Sequence, residues 1–208
     1  EANMAQWLSP GLNIATVNHA QETVVSGDAE AIEQLAARLR EHGTAHQVLR
    51  VSHAFHSHRM TPILEPWREV LAGLDWHRPN IPVISALRSD TACDEPEHWV
   101  RHVREPVHWV DVPPKLAAHA DLVIEIGPHP VLTRAIQRNR SLAESLPTIA
   151  SLVRGQPPSA ALRQAKEDVQ QTRRSTPLTL LGHDPLPRNN RRYWLPEDRY
   201  AKVDMAYA

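Results

Sequence analysis

The residues of this chain best suited to chemistry lie together in Ser52-His53-Ala54-Phe55-His56-Ser57-His58. Imidazole is the side chain that most readily gives and takes protons near neutral pH, so three of them in seven positions mark a candidate general base. The same run would also suit surface or structural histidine. A second chemistry is open as well, because His53, His56 and His58 with Cys93 or His98 have the right donor types for zinc. Their His-x-x-His-x-His spacing matches no helix-face pair, which counts against a metal. A Cys93/His98 nucleophile pair is weaker again, since the thiol sits in an Asp/Glu-rich loop that disfavours the thiolate.

The elements that must position the run follow from periodicity. Leu12 to Asn18 alternates as a strand, Glu22 to Gly27 reads as a second, and Asn18 to Gln21 turns between them. Asp28 is placed to cap a helix whose apolar face is Ala31, Ile32, Leu35, Ala36 and Leu39, with Gly43 ending it. Ala45 to Val51 is expected to be a third strand. Strand, strand, helix, strand makes a small α+β unit. Beyond the histidines, Met60, Ile63, Leu64, Trp67, Val70, Leu71 and Leu74 repeat at helical spacing, with regular helix predicted from about Glu65 and Pro66 in its first turn. Ile81 to Leu87 is expected to be a short strand, 88 to 98 a loop, and Trp99 to Val103 and Pro113 to Ala120 helices. Asp121-Leu122-Val123-Ile124-Glu125-Ile126-Gly127 has the near-continuous apolar character of a buried parallel strand. It leads through Gly127-Pro128-His129-Pro130 into a helix beginning at Val131, a strand-turn-helix sequence of the α/β kind. From Gly155 onward, prolines at 157, 158, 177, 185 and 187 and the run Arg191-Arg192-Tyr193-Trp194-Leu195 predict a tail lying across a neighbouring surface.

Composition narrows the function classes. The chain has 208 residues, 41% of them hydrophobic, enough for a real core. A formal net charge of -1 argues against general electrostatic binding to nucleic acid or membrane, and a few arginines around Tyr193 and Trp194 do not make an RNA-binding module. Cys93 is the only cysteine, so no internal disulfide forms and a reducing, cytoplasmic setting is expected. No apolar run is long enough to span a bilayer, and the opening residues lack the pattern of a signal peptide. The start at Glu1 reads as the interior of a longer polypeptide.

Four motifs then occur in order: Val24-Val25-Ser26-Gly27, Ser52-His53-Ala54-Phe55-His56-Ser57, Trp99-Val100-Arg101-His102-Val103-Arg104-Glu105-Pro106-Val107 and Glu125-Ile126-Gly127-Pro128-His129-Pro130-Val131-Leu132. Together they resemble the C-terminal part of the acyltransferase domain of polyketide synthases, and Pro187 to Leu195 is similar to the linker that follows it. The resemblance implies an α/β fold: an α/β-hydrolase-like large subdomain with an inserted ferredoxin-like small subdomain and an extended C-terminal linker. It places residues 1–9 at the end of the first part of the large subdomain, 10–51 in the ferredoxin-like insert, 52–154 in the rest of the large subdomain and 155–208 in the linker.

The same resemblance assigns roles. His56 would be the catalytic base, held by a backbone carbonyl that the motif match assigns to His102. His53, Ala54 and Phe55 would form the substrate-binding run, in its malonyl-selective His-Ala-Phe-His version. The bulk of Phe55 would occupy space that a 2-methyl group needs, a discrimination of about 1 to 3 kcal/mol. His129 would be structural. No bound cofactor or metal is implied; the substrate would be malonyl-CoA and the acceptor the phosphopantetheine thiol of an acyl carrier protein. Expected partners are that carrier protein, the ketosynthase and the upstream acyltransferase segment, in a homodimeric megasynthase, with neither nucleic acid nor membrane. A Gly-His-Ser-x-Gly elbow and a malonate-binding arginine are absent from the sequence, and none of Ser26, Ser52, Ser57 or Ser85 replaces the nucleophile. The rival reading is a non-catalytic acyltransferase remnant that serves as a docking scaffold.

Overall fold

The structure is a computed structural model that describes residues 2–89, 91–138 and 146–175. The aromatic-basic run at 191–195 and most of the expected linker therefore lie outside the described residues.

After a single helical turn, α1 (Ala2–Ala5), the chain forms an antiparallel hairpin of β1 (Leu12–His19) and β2 (Glu22–Gly27), and then α2 (Ala29–Glu41). The spacing of the apolar residues explains the packing: Leu12, Ala31 and Leu35 are buried together, and Trp7, Leu8, Val25, Ile32 and Leu39 close around them. Gly43, at φ 65°, ends α2 in a Schellman arrangement, with Thr44 N–H donating to Leu39 O (2.8 Å) and Gly43 N–H to Arg40 O (3.0 Å). Asp28 departs from expectation at the other end. Its side chain makes no cap bond to α2 and turns instead towards His58 and Arg59.

Residues 45–51 do not form the expected third strand, so a ferredoxin-like sheet is not completed among the described residues. The edge of β1 away from β2 is already taken. Val107 donates its N–H to Ala15 O (2.9 Å) and accepts from Val17 N–H (2.8 Å), while Val48, Leu49 and Val51 stay exposed. Val107 also bridges to Leu87, and His108 N–H donates to Ala86 O (2.7 Å); among the described residues the expected 81–87 strand forms no further ladder.

A 3-10 turn (His58–Ile63) leads into α3 (Leu64–Ala72), with Pro66 in the first turn, where its missing N–H leaves no bond unmade. α4 (Pro96–Arg104) packs against α3, and Arg68 binds Glu97 across the pair. A second 3-10 turn (Trp109–Asp111) precedes α5 (Val112–Ala117), then β3 (Val123–Glu125), α6 (Leu132–Gln137), β4 (Thr148–Ala150) and α7 (Pro158–Ser175). β3 and β4 are parallel. The buried strand expected at 121–127 is corrected by the structure: three residues enter the ladder, and Ile124 and Ile126 are 47% and 90% exposed. With only β4 beside it, β3 has one uncovered face among the described residues. The part of the expected linker that is described is helix, with Ala161 and Ala165 of α7 buried.

Candidate active site

His56 is the one non-glycine residue with positive φ among the described residues, at 60°. A residue with a β-carbon keeps the left-handed conformation only where its surroundings impose it, and such positions gather at functional sites. The surroundings here are the end of α4. The His56 N–H donates to Val103 O (3.0 Å), and its Nδ1 lies 2.8 Å from Glu105 O. A carbonyl only accepts, so Nδ1 carries a proton, and in the neutral ring the lone pair is that of Nε2. Nε2 makes no hydrogen bond among the described residues.

The expected orienting carbonyl at His102 is thereby corrected to Glu105. His102 lies within α4, where a carbonyl points along the helix axis. Glu105 is the C-cap, with φ -86° and ψ 156°, the extended conformation that a following proline enforces. Its carbonyl therefore turns out of the helix and meets the imidazole. The sequence held this signal in Glu105-Pro106. The C-terminal end of a helix is also the negative end of its dipole, a favourable place for charge to develop on a ring taking up a proton.

His102 contributes its side chain instead. Its ring stands edge-on to His56, centroids 5.9 Å apart, and tilted against His98 at 6.2 Å. Burial, and then the neighbouring His56 and His98, hold the His102 imidazole below the ordinary histidine range, favouring its neutral form.

His53, Ala54 and Phe55 lie at the same turn. The Phe55 ring is 6.1 Å from that of His53 and 6.4 Å from that of His56, and is 49% exposed. His53 Nδ1 pairs with Ser52 Oγ (2.9 Å). Ala54 serves through its backbone: its carbonyl accepts from the Oγ of Ser57 (2.6 Å), which is fully buried and itself accepts from Arg59 N–H (3.2 Å). His58 turns away to Asn13 and Asp28. The three histidines thus point to three different sets of partners.

His98 is 2% exposed and pinned, Nδ1 to Thr91 O (3.1 Å) and Nε2 to Ser85 Oγ (3.2 Å), with Cys93 Sγ further off at 3.8 Å. It is a staple for the 85–93 segment. His129 accepts from Arg154 N–H (3.3 Å). At the turn after β3, Glu125 receives three backbone N–H groups, from Val131 (3.0 Å), Leu132 (3.1 Å) and Thr133 (2.8 Å), at the start of α6. Burial works to raise its pKa, but those donors hold it below the ordinary carboxylate range. Sequence reasoning did not single out Glu125, because nothing in an apolar run marks an acid within it as a cap for the helix seven residues on.

The family profile described as acyl transferase domain matches residues 1–176. The chain belongs to this acyltransferase family. Among relatives, it is 40% identical over 131 residues to the spectinabilin polyketide synthase system protein NorB of Streptomyces orinoci, covering 61% of this chain and 6% of that protein. Solved structures are similar as well, two of them as follows. The acyltransferase domain from the second module of the salinomycin polyketide synthase has TM-score 0.70 at 34% identity, covering 79% of this chain and 39% of that one. The acyltransferase domain of SpnD, in complex with 2-(pent-4-yn-1-yl)malonyl, has TM-score 0.75 at 30% identity, covering 82% and 44%. The chain is therefore part of a polyketide synthase acyltransferase domain, spanning less than half the length of these solved acyltransferases. Among the described residues, no helix is long and apolar enough to cross a membrane.

Proposed function

We propose that this chain supplies the general base and one wall of the acyl pocket in a malonyl-CoA:acyl carrier protein transacylase. The nucleophilic serine and a carboxylate-binding arginine come from the serine-bearing segment of the same domain. The observation that carries the reading is the His56 to Glu105 bond, which fixes the tautomer a base requires.

In the first half-reaction, His56 Nε2 takes the serine proton as the oxygen bonds to the thioester carbon. The carbon–sulfur bond then breaks, and the coenzyme A thiolate leaves with the proton returned by His56. In the second, the phosphopantetheine thiol of an acyl carrier protein gives its proton to Nε2 and takes the malonyl group, and the serine oxygen is reprotonated. The His-Ala-Phe-His run supports malonyl as the extender, with Phe55 limiting space for a 2-substituent. The sole cysteine supports a reducing cytoplasm, and the family a place beside a ketosynthase in a homodimeric synthase.

The test is intact-protein mass spectrometry after incubation with malonyl-CoA, on this chain alone and with the serine-bearing segment. A malonyl adduct on that segment, lost with His56→Ala, supports the transferase. An unmodified segment, under conditions that load a control acyltransferase, leaves a docking scaffold as the account.

A further inference from the structure

We propose that Asn13 and Asp28 are positioning residues for His56, acting through His58. The inference rests on reading His56 as the base. Asn13 lies on β1 and Asp28 heads α2, so both belong to the hairpin–helix unit rather than to α4, which holds His56 directly.

The contacts converge on one imidazole. Asn13 Oδ1 receives the backbone N–H of His58 (3.0 Å) and faces its Nδ1 (3.0 Å). Asp28 Oδ1 faces Nε2 (3.1 Å) and also accepts from Arg59 Nε. A carboxylate only accepts, and the backbone N–H, which only donates, identifies the Asn13 atom as oxygen. Both ring nitrogens of His58 therefore face acceptor oxygens. The ring bridges the strand and the head of the helix, with an oxygen of each facing one of its nitrogens.

Two glycines allow the carboxylate to reach it. Gly11 sits at φ 88° with its amide oxygen receiving Asp28 N–H (2.9 Å), and a β-carbon there would lie 2.6 Å from Asp28 Oδ2. A β-carbon on Gly27 would lie 1.9 Å from Gly11 O. These close approaches leave room for the Asp28 carboxylate beside the Gly11 backbone, from where it reaches His58 and Arg59.

His56 is thus bound on both sides. On one side its own N–H and Nδ1 are tied to Val103 and Glu105. On the other, Ser57 is locked to Ala54 and Arg59, and His58 and Arg59 are tied to Asn13 and Asp28. A left-handed residue between two anchored neighbours keeps its ring angle only while both anchors hold.

The test reads ring nitrogens directly, by long-range proton–nitrogen NMR on the 208-residue chain. The unmodified protein should show a single His56 tautomer, with the proton on Nδ1, and both His58 ring nitrogens shifted by hydrogen bonding. In Asp28→Asn, which keeps size and removes charge, and in Asn13→Ala, the His56 signal should become a mixture of two tautomers, with Asp28→Glu and Asn13→Asp restoring it. In the domain completed by its serine-bearing segment, the first two variants should lower kcat about ten- to a hundredfold with KM unchanged. A merely structural role would lower the folded fraction and leave the His56 tautomer of the folded protein single. The proposal is overturned if the His56 tautomer and kcat stay as they were while the His58 signals change. If His56→Ala loads as well as the unmodified protein, the base assignment fails, and the nitrogen spectra still decide whether Asp28 and His56 are coupled.

Discussion

The Nδ1 of His56 lies 2.8 Å from the carbonyl oxygen of Glu105, the residue at which α4 ends and a proline begins the next segment. A backbone atom therefore does the orienting, and the side chain at 105 is free for other use, in an ion pair with Arg101. Glu105→Gln should change acyl loading by no more than a few-fold, because an i,i+4 pair of this exposure is worth about 0.5 kcal/mol. Pro106→Gly relaxes the conformation that aims the carbonyl and should lower kcat by about tenfold or more. Single-turnover loading from radiolabelled malonyl-CoA separates the two.

Phe55 stands beside His56 and is half exposed. Phe55→Ser should narrow the preference for malonyl-CoA over methylmalonyl-CoA by roughly 10- to 200-fold, the equivalent of about 1 to 3 kcal/mol. Competition between the two thioesters, read as the ratio of acyl adducts, measures it; an unchanged ratio would place the discrimination elsewhere in the pocket.

His102 gives a pH dependence. Its pKa is lowered in the folded protein, so the unfolded chain takes up the proton first as pH falls. The stability it contributes is full above about pH 6.5, the ordinary histidine value, and is lost as pH falls from there through the lower folded value. His102→Gln, which does not titrate, should flatten that part of the profile. Thermal unfolding between pH 8 and pH 5 shows whether the two curves converge as expected.

Glu125 predicts a second, more acidic window. Its folded pKa is also lowered, so its contribution is present above the ordinary carboxylate range and disappears as pH falls through the depressed value. Glu125→Gln should cost about 0.5 to 2 kcal/mol at neutral pH, the usual range for losing a helix cap. The deficit should shrink towards zero in acid. Urea unfolding at neutral and acid pH provides the comparison.

How legible all this was depended on the range of the contacts involved. The hairpin, α2 and its Gly43 stop were readable because alternation, a 3.6-residue apolar period and a left-handed glycine act over a few neighbours. His56 was readable for a similar reason, as part of a compact run. Its carbonyl partner was misplaced by three residues because a helix end is fixed by where hydrogen bonding stops and not by composition. Asp28 carried the chemistry of a cap and was drawn off by His58 and Arg59, which are thirty and more positions away in the chain. The 45–51 strand failed on competition, since Val107 had taken the edge it needed. In Asp121 to Gly127 the apolar character was read rightly, but burial belongs to whatever covers a strand, and one face of β3 is uncovered among the described residues.

Val107 also bears on the order of folding. The β1–β2 hairpin closes between near neighbours, whereas Val107 joins β1 only after a loop from Val17 onwards has closed, and the bond from His56 to Glu105 spans 49 positions. Loop-closure entropy makes such distant contacts late to form. The hairpin and α2 are therefore suited to form early as a template, with the geometry around His56 assembled last. In native-state hydrogen exchange, the amides of His56 and Val107 should open together at a lower free energy than those of the hairpin core.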